Sequence, residues 1–423
     1  MYVALAVFLI AIRPPWEAPD EVDHVKNVQT LVSGRIYRIR QEEGLEANQP
    51  PLYYGLLAGW QRVLGLPPKT PTAVASVDCA QRAFFRRKAR CALFRHDTPS
   101  DGDAHRRLAV LRLPGILFGA VTILLTAATA RRLTSDPWTP VVAGAIVASV
   151  PAFIFLSAGV NNDNLANLLG AAAALLAVAA VQQRDRGDRR WPVAMGLGLI
   201  VGGLILTKFT ALVLVPALLV AVWLSTSNRR QAGLLILALS GVAVLVSSWW
   251  LVHNLSSYGD PLALKATEDY FHKELPLAFS NEPPLERAVV SLPGVVWKEF
   301  WYRSQQFMWP WWAYLPFWLL AAGGLVGLLA NRRRWGPSTV FGLGVIVLAL
   351  LGLGALATMW LVGLNTNTAQ ARLTFTGLAA IACLIALGFE CLRVPVPARF
   401  ALPAIGFIGT LVALRNDVID VYL

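Results

Sequence analysis

"MYVALAVFLIAIRPPWEAPDEVDH", residues 1–24, changes character at Arg13. The first twelve residues are uncharged and apolar, and the eight positions from Glu17 to His24 then hold four carboxylates and a histidine. A chain leaving a bilayer is the simplest way to join two such stretches, because ionised groups are costly in hydrocarbon and cheap again at the headgroups. The apolar run is shorter than the roughly 20 residues that a span requires, and it has neither the basic flank nor the small-residue site of a signal peptide. We therefore expect the written start to have removed part of a first helix.

The rest of the chain extends this reading. Of 423 residues 56% are hydrophobic and 15% charged, and the apolar residues come in blocks rather than stripes. Ten further apolar segments follow, at about 108–130, 138–158, 163–182, 191–207, 209–225, 232–253, 310–330, 338–363, 373–392 and 399–414, so that about eleven transmembrane helices are expected. The net charge of +12 is a topology signal, not a nucleic-acid signal, since arginines cluster in alternate connections. Residues 131–137, 183–190, 226–231, 331–336 and 393–399 carry two, four, two, three and two basic residues, whereas "GVNNDN" carries none and the turns at Lys208 and Arg372 one each.

This alternation puts the N-terminus in the cytoplasm. Residues 13–107 and 254–309 then form two large extracytoplasmic loops of a single transmembrane domain. The fifteen basic residues of the first loop do not oppose this, because loops longer than about 60 residues cross regardless of charge. Trp249, Trp250, Trp297, Trp301, Trp309, Trp311 and Trp312 fall at the outer boundary and read as an aromatic belt. Interfacial helices are expected at 20–33, with Val22, Val25, Val28 and Val32 on one stripe, at 51–64, with Leu52, Leu56, Trp60, Val63 and Leu64, and around 295–309. Cys79 and Cys91 are candidates for a disulfide in the first loop, which would contribute roughly 3 kcal/mol.

The polar residues unusual for a membrane chain all fall on the extracytoplasmic side: Glu17, Asp20, Glu21, Asp23 and His24 after the first segment, Asn162 and Asp163 at one turn, Lys208 at another, Asp260, then Gln370 and Arg372. Asp20, His24 and Asn27 share a helical face at i, i+4 and i+7, with Glu21 at the edge of the valine stripe. Two readings stand for Asp20. It is a helix cap supported by Glu21, or it does polar chemistry. Lys208 sits where a lipid phosphate would be, and it could equally extend its amine to the headgroups. Arg372 has the same two readings.

"PPWEAPDEVDH", "NQPPLYYGLLAG", "VNNDNLANLL", "LTKFTALVLVPALL", "WWLVHNLSSYGDPL" and "AQARLTFTGLAAI" occur in an order and spacing that resembles the polytopic glycosyltransferases of the GT-C superfamily. The similarity runs from Arg13 to about residue 392 and points to a bacterial branch related to the family 39 protein O-mannosyltransferases and aminoarabinose transferases. It implies an all-α polytopic GT-C fold in a bacterial cytoplasmic membrane, with the active site facing outward. It implies transfer of a sugar from a polyprenyl-phosphate donor to a glycan, glycolipid or protein acceptor.

On this resemblance Asp20 is the base, with Glu21 beside it, Lys208 and Arg372 meet the donor phosphate, and Asn162 and Asp163 approach the same cavity; from the residues themselves His24 is a further catalytic candidate, and Glu17, Gln370 and Tyr258 are further substrate-site candidates. The clipped first helix departs from the family pattern, as does the lack of an aromatic after the arginine in "QARLTF". Attack by a hydroxyl on an anomeric carbon needs one carboxylate to take the proton and positive charge for the departing phosphate, and a single base implies inversion. No cofactor is required by these motifs; a divalent cation, Mg or Mn, could be held by Asp20, Glu21 and Asp163. A transporter or flippase of lipid-linked saccharide is the alternative of a different class, but it would place polar residues at the bilayer midplane on repeated, broken helices. A non-catalytic envelope assembly protein would leave the acid cluster without a purpose.

Overall fold

The computed structural model describes residues 1–39, 44–69, 71, 101–184, 190–274, 283–302, 309–335, 339–365 and 369–419; Cys79 and Cys91 lie outside them. Every regular element among the described residues is helical. Each of the eleven expected segments holds a helix. The bundle helices are α1 (Tyr2–Ile12), α4 (Asp101–Arg131), α5 (Trp138–Ser149), α6 (Pro151–Ser157), α7 (Asp163–Gln182), α8 (Arg190–Ile205), α9 (Val215–Leu224), α10 (Arg229–Tyr258), α13 (Leu315–Ala330), α14 (Thr339–Asn365), α15 (Leu378–Cys391) and α16 (Ala401–Leu414). Outside the bundle are α2 (Glu21–Val32), α3 (Leu52–Val63), α11 (Leu264–Glu274) and α12 (Leu292–Glu299).

Six of these helices are long and apolar enough to cross a bilayer, and α5 with α6 makes a seventh if a pair bent by 67° is one span. Pro151 causes that bend: it removes a backbone donor and forces Val150 into an extended conformation. Four further apolar helices, Tyr2–Ile12, Arg190–Ile205, Phe209–Leu224 and Ala401–Leu414, are shorter than 18 residues, so among the described residues length and composition alone give a multi-pass membrane protein with six or seven full-length spans and four shorter apolar helices.

Burial separates the centre of the bundle from its rim. The apolar stretch of Ala371–Cys391 is 83% buried and that of α7 72%, whereas α10 is only 28% buried and presents Leu237, Val244, Leu245 and Val252 outward. α10 is nonetheless sharply bounded, with Asn228 accepting a hydrogen bond from the Gln231 amide at its start and Gly259 in the left-handed conformation at its end.

The loop helices correct part of the interfacial reading. Val25 and Val28 of α2 are buried against Tyr53, Tyr54 and Leu57 of α3, together with Tyr37 and Trp250, so the valine stripe builds a protein core instead of lying on lipid. The α3 stripe behaves as expected for a surface helix in apolar surroundings, with Leu56, Trp60, Val63 and Leu64 all exposed. The tryptophans divide likewise. Trp249, Trp311 and Trp312 are exposed, but Trp250, Trp301 and Trp309 are buried, the last two in an aromatic cluster with Phe300, Tyr302, Tyr314 and Phe317.

Candidate active site

Two chain reversals bring the cations in. Lys208 and Gln370 both have extended backbone, and each is followed by a 3-10 turn, Phe209–Leu214 or Ala371–Gly377, before the α-helix resumes. Each tight turn opens its apolar helix and delivers Lys208 or Arg372 to the end of the bundle where α7 begins. Asp163, in the first turn of α7, receives both. Its Oδ1 is paired with Lys208 Nζ, and its Oδ2 lies 3.7 Å from Arg372 Nε.

Asp20 completes the group. It holds φ at 58°, a left-handed value that aspartate tolerates better than most residues, and it precedes α2 without capping it. Its carboxylate instead accepts from Arg372 Nη2 at 2.6 Å. Burial alone would raise the pKa of Asp20, but the charge and hydrogen bond of Arg372 together with His24 and Lys208 outweigh it and hold the group below the ordinary carboxylate range.

The neighbouring carboxylate has a different fate. Glu21 is fully buried and takes a bidentate pair from Arg112, with Nε to Oε1 at 2.8 Å and Nη2 to Oε2 at 2.7 Å, while the Val160 amide donates at 3.1 Å. Arg112 Nη1 and Nη2 also donate to the carbonyls of Arg13 and Pro14, at 3.0 and 3.1 Å. Arg112 was missed in the sequence, although an isolated arginine inside an apolar segment is itself a signal. This pair fixes the start of α2 against α4 and the turn before α7, and so holds Asp20 in place.

The shared face on α2 does converge, on a residue the sequence did not single out. Ligating atoms of Asp20, His24 and Glu46 lie within 4.8 Å of one another. Gly44 allows this approach. It has φ of 94°, a value that strains any other residue, and a Cβ there would lie 2.3 Å from Asp23 Oδ1 and displace that side chain. Asn27 Nδ2 then donates to the Glu46 carbonyl at 2.7 Å, and His24 Nδ1 lies 2.8 Å from the Tyr54 hydroxyl. Burial pushes Glu46 up to about 8, with the negative charge of Asp20 adding to it, and burial pushes His24 down to about 4, with Arg372 adding to that. At neutral pH the cluster thus pairs two carboxylates with two cations, beside a protonated Glu46 and an uncharged His24.

The other expected residues take supporting places. Asn162 ties the turn before α7 to Gln49 Oε1 at 3.0 Å and to the Thr207 carbonyl at 3.1 Å, next to Lys208. Gln370 leads into the 3-10 turn carrying Arg372, and Glu17 is half-buried ahead of α2. Tyr258 does not join the cluster: its hydroxyl accepts from the Ile39 amide at 3.0 Å. Cys383 and Cys391 are buried.

The expected cation ligands Asp20, Glu21 and Asp163 are not gathered together, because Glu21 is taken by Arg112 and Asp163 by Lys208. Among the described residues the set that could hold a metal is Asp20, His24 and Glu46. Two carboxylates and an imidazole suit Mn or Zn better than Mg, which prefers oxygen alone.

Comparison with known proteins agrees with this architecture. The family model described as dolichyl-phosphate-mannose-protein mannosyltransferase matches residues 104–252. No curated protein matches the chain in sequence. Among solved structures, ArnT from Cupriavidus metallidurans bound to undecaprenyl phosphate is similar at 14% identity with a TM-score of 0.59, and its apo state gives 0.56. Both comparisons cover 98% of this chain and 64% of ArnT, so the chain spans less than two thirds of that protein's length. The archaeal oligosaccharyltransferase AglB from Archaeoglobus fulgidus, in complex with an inhibitory peptide and a dolichol-phosphate, is similar at 13% identity with a TM-score of 0.50, over 100% of this chain and 54% of AglB. The family model thus matches residues 104–252 of the 423, and the solved structures, at 13–14% identity, share the fold of this chain.

Proposed function

We propose that the protein is a membrane glycosyltransferase that moves a sugar from a polyprenyl-phosphate donor to an acceptor hydroxyl at the extracytoplasmic face of a bacterial cytoplasmic membrane. The observation that carries this reading is the pairing of Arg372 with Asp20 and of Lys208 with Asp163 at the ends of the two most buried helices. Without substrate the two cations are neutralised by the two acids. A donor phosphate competes for the same cations, and in taking Arg372 it releases Asp20 and restores its basicity.

The freed Asp20 carboxylate accepts the proton of the acceptor hydroxyl as that oxygen forms its bond to the anomeric carbon. The bond from that carbon to the phosphate oxygen breaks on the opposite side, so the configuration inverts. The leaving phosphate keeps the electron pair and is stabilised by Arg372 and Lys208, with no acid needed. Glu21 has no part in proton transfer; its role is to hold α2. Asp20, His24 and Glu46 would hold a divalent cation, which would supply further positive charge beside the phosphate.

The test is Asp20→Asn in purified, lipid-reconstituted protein. Transfer should fall by about 10²–10⁴-fold, the usual range for loss of a general base. Binding of undecaprenyl phosphate should persist, because the amide no longer competes for Arg372. Undiminished transfer would remove Asp20 from the chemistry, and robust crossing of lipid-linked sugar without transfer would favour a transporter.

A further inference from the structure

The face of α7 that carries Asp163 continues inward through Asn167 and Gly170, at i+4 and i+7, so the three positions share one narrow arc. Both ends of that arc are fixed against the Ala371–Gly377 turn. Asp163 Oδ2 lies 3.7 Å from Arg372 Nε, and a Cβ on Gly170 would lie 2.0 Å from the Thr376 carbonyl oxygen. Asn167, between them, therefore faces the stretch between Arg372 and Thr376.

Asn167 is 1% exposed, and neither its amide nitrogen nor its amide oxygen has a hydrogen-bond partner among the described residues. The facing atoms share that condition: Arg372 Nε and Nη1, Thr376 Oγ1 and Asp163 Oδ2 are all buried and without a hydrogen bond among the described residues, the 3.7 Å between Arg372 Nε and Asp163 Oδ2 being an ion-pair distance too long for one. A buried amide left unpaired costs free energy, and leucine would suit this apolar helix better. Orphaned donors and acceptors on two facing elements mark a shared hydrogen-bonding site. An anion does not fit it, because Asp163 Oδ2 looks into it. A small neutral molecule that both donates and accepts does, and water has that chemistry.

We propose that Asn167 is a positioning residue for Arg372. Through a shared water it holds the inner edge of the guanidinium, Nε and Nη1, so that Nη2 stays turned toward Asp20 and the incoming phosphate. This role rests on the reading of Arg372 as the donor-phosphate group. Without the amide, the inner N–H groups turn to Asp163 Oδ2, the nearest acceptor, and Arg372 withdraws from the phosphate.

The test is a double-mutant cycle of Asn167→Leu and Arg372→Gln, reading the affinity of the reconstituted protein for undecaprenyl phosphate against undecaprenol. Asn167→Leu should weaken phosphate-dependent binding by about tenfold in the native background and have no further effect beside Arg372→Gln, since coupled residues give non-additive losses. Asn167→Ser, which keeps a hydrogen-bonding group and leaves room for water, should restore most of the loss. Native affinity in Asn167→Leu, or an equal loss in both backgrounds, overturns the proposal, the second result meaning that the residue acts through packing alone. If the leucine variant does not fold, Asn167→Ala enters the same cycle with the same two overturning outcomes. A native protein that does not prefer undecaprenyl phosphate to undecaprenol overturns the glycosyltransferase reading itself, and this role with it.

Discussion

Asp20 and Glu21 are adjacent in the chain and belong to two regions built on opposite rules. Around Glu21 the polar atoms are satisfied: both carboxylate oxygens meet Arg112, a backbone amide joins them, and each guanidinium nitrogen of Arg112 has an acceptor, two carbonyls included. Around Asp20 the bonding is incomplete. Arg372 leaves two nitrogens without a hydrogen bond among the described residues, Asp163 leaves an oxygen, and the side chain of Asp20 remains 36% exposed. A closed network can only hold shape. An open one has valence left for a ligand, which on the function proposed above is the donor phosphate.

The difference can be broken first at the closed side. Arg112→Leu leaves Glu21 buried and unpaired, which should cost about 3–5 kcal/mol and lower the unfolding temperature of the detergent-solubilised protein more than any change at Asp20. Replacing both partners, Glu21→Leu with Arg112→Leu, should recover most of that loss, because an apolar pair of similar volume escapes the desolvation penalty. A double variant as unstable as the single one would mean that Val160 and the Arg13 and Pro14 carbonyls, not the ion pair, hold α2 in place.

The contrast also explains what could be read from the chain alone. Apolar block length and arginine alternation are local and repeated, so the helical segments and the polar end of the bundle were legible, as were Asp20, Asp163, Lys208 and Arg372. The membership of the closed network was not. Glu21 and Arg112 are 91 residues apart, and neither position says which of two adjacent acids will turn inward. Glu46 was hidden for a related reason. It sits in a short turn without periodicity, and its place beside His24 depends on a left-handed glycine two residues earlier. The valines of α2 misled because a stripe reports only that a face is covered, whether by lipid or by protein.

A second prediction addresses how the open side is built. Gly170→Ala pushes a methyl against the Thr376 carbonyl, a backbone atom that cannot swing away, and should cost about 1–3 kcal/mol. Because the strain falls on the turn that carries Arg372, affinity for undecaprenyl phosphate should fall with stability. Loss of stability with native affinity would mean that the α7 contact does not set the position of Arg372.

The smallest expected effect isolates Glu46. Its ordinary value of 4.5 is raised to about 8, so the folded protein keeps a proton that the unfolded chain has released. The stability this contributes is complete below 4.5 and is lost as pH rises through 8. His24 adds nothing to the upper part of that window, because its folded value of about 4 lies below its ordinary 6.5 and both states are uncharged above the latter. Between pH 6.5 and 8 the native protein should therefore lose about 1 kcal/mol relative to Glu46→Gln, less than full burial would give because Glu46 is only half-buried. The measurement is the unfolding temperature of both proteins across that range. Since a carboxylate formed there would also oppose an incoming phosphate beside Asp20 and Asp163, undecaprenyl phosphate binding should weaken over the same interval in the native protein and stay level in Glu46→Gln. Parallel curves for the two proteins would place the ionisation of Glu46 outside this range and leave Asp20, Asp163, Lys208 and Arg372 as the whole of the site's charge balance.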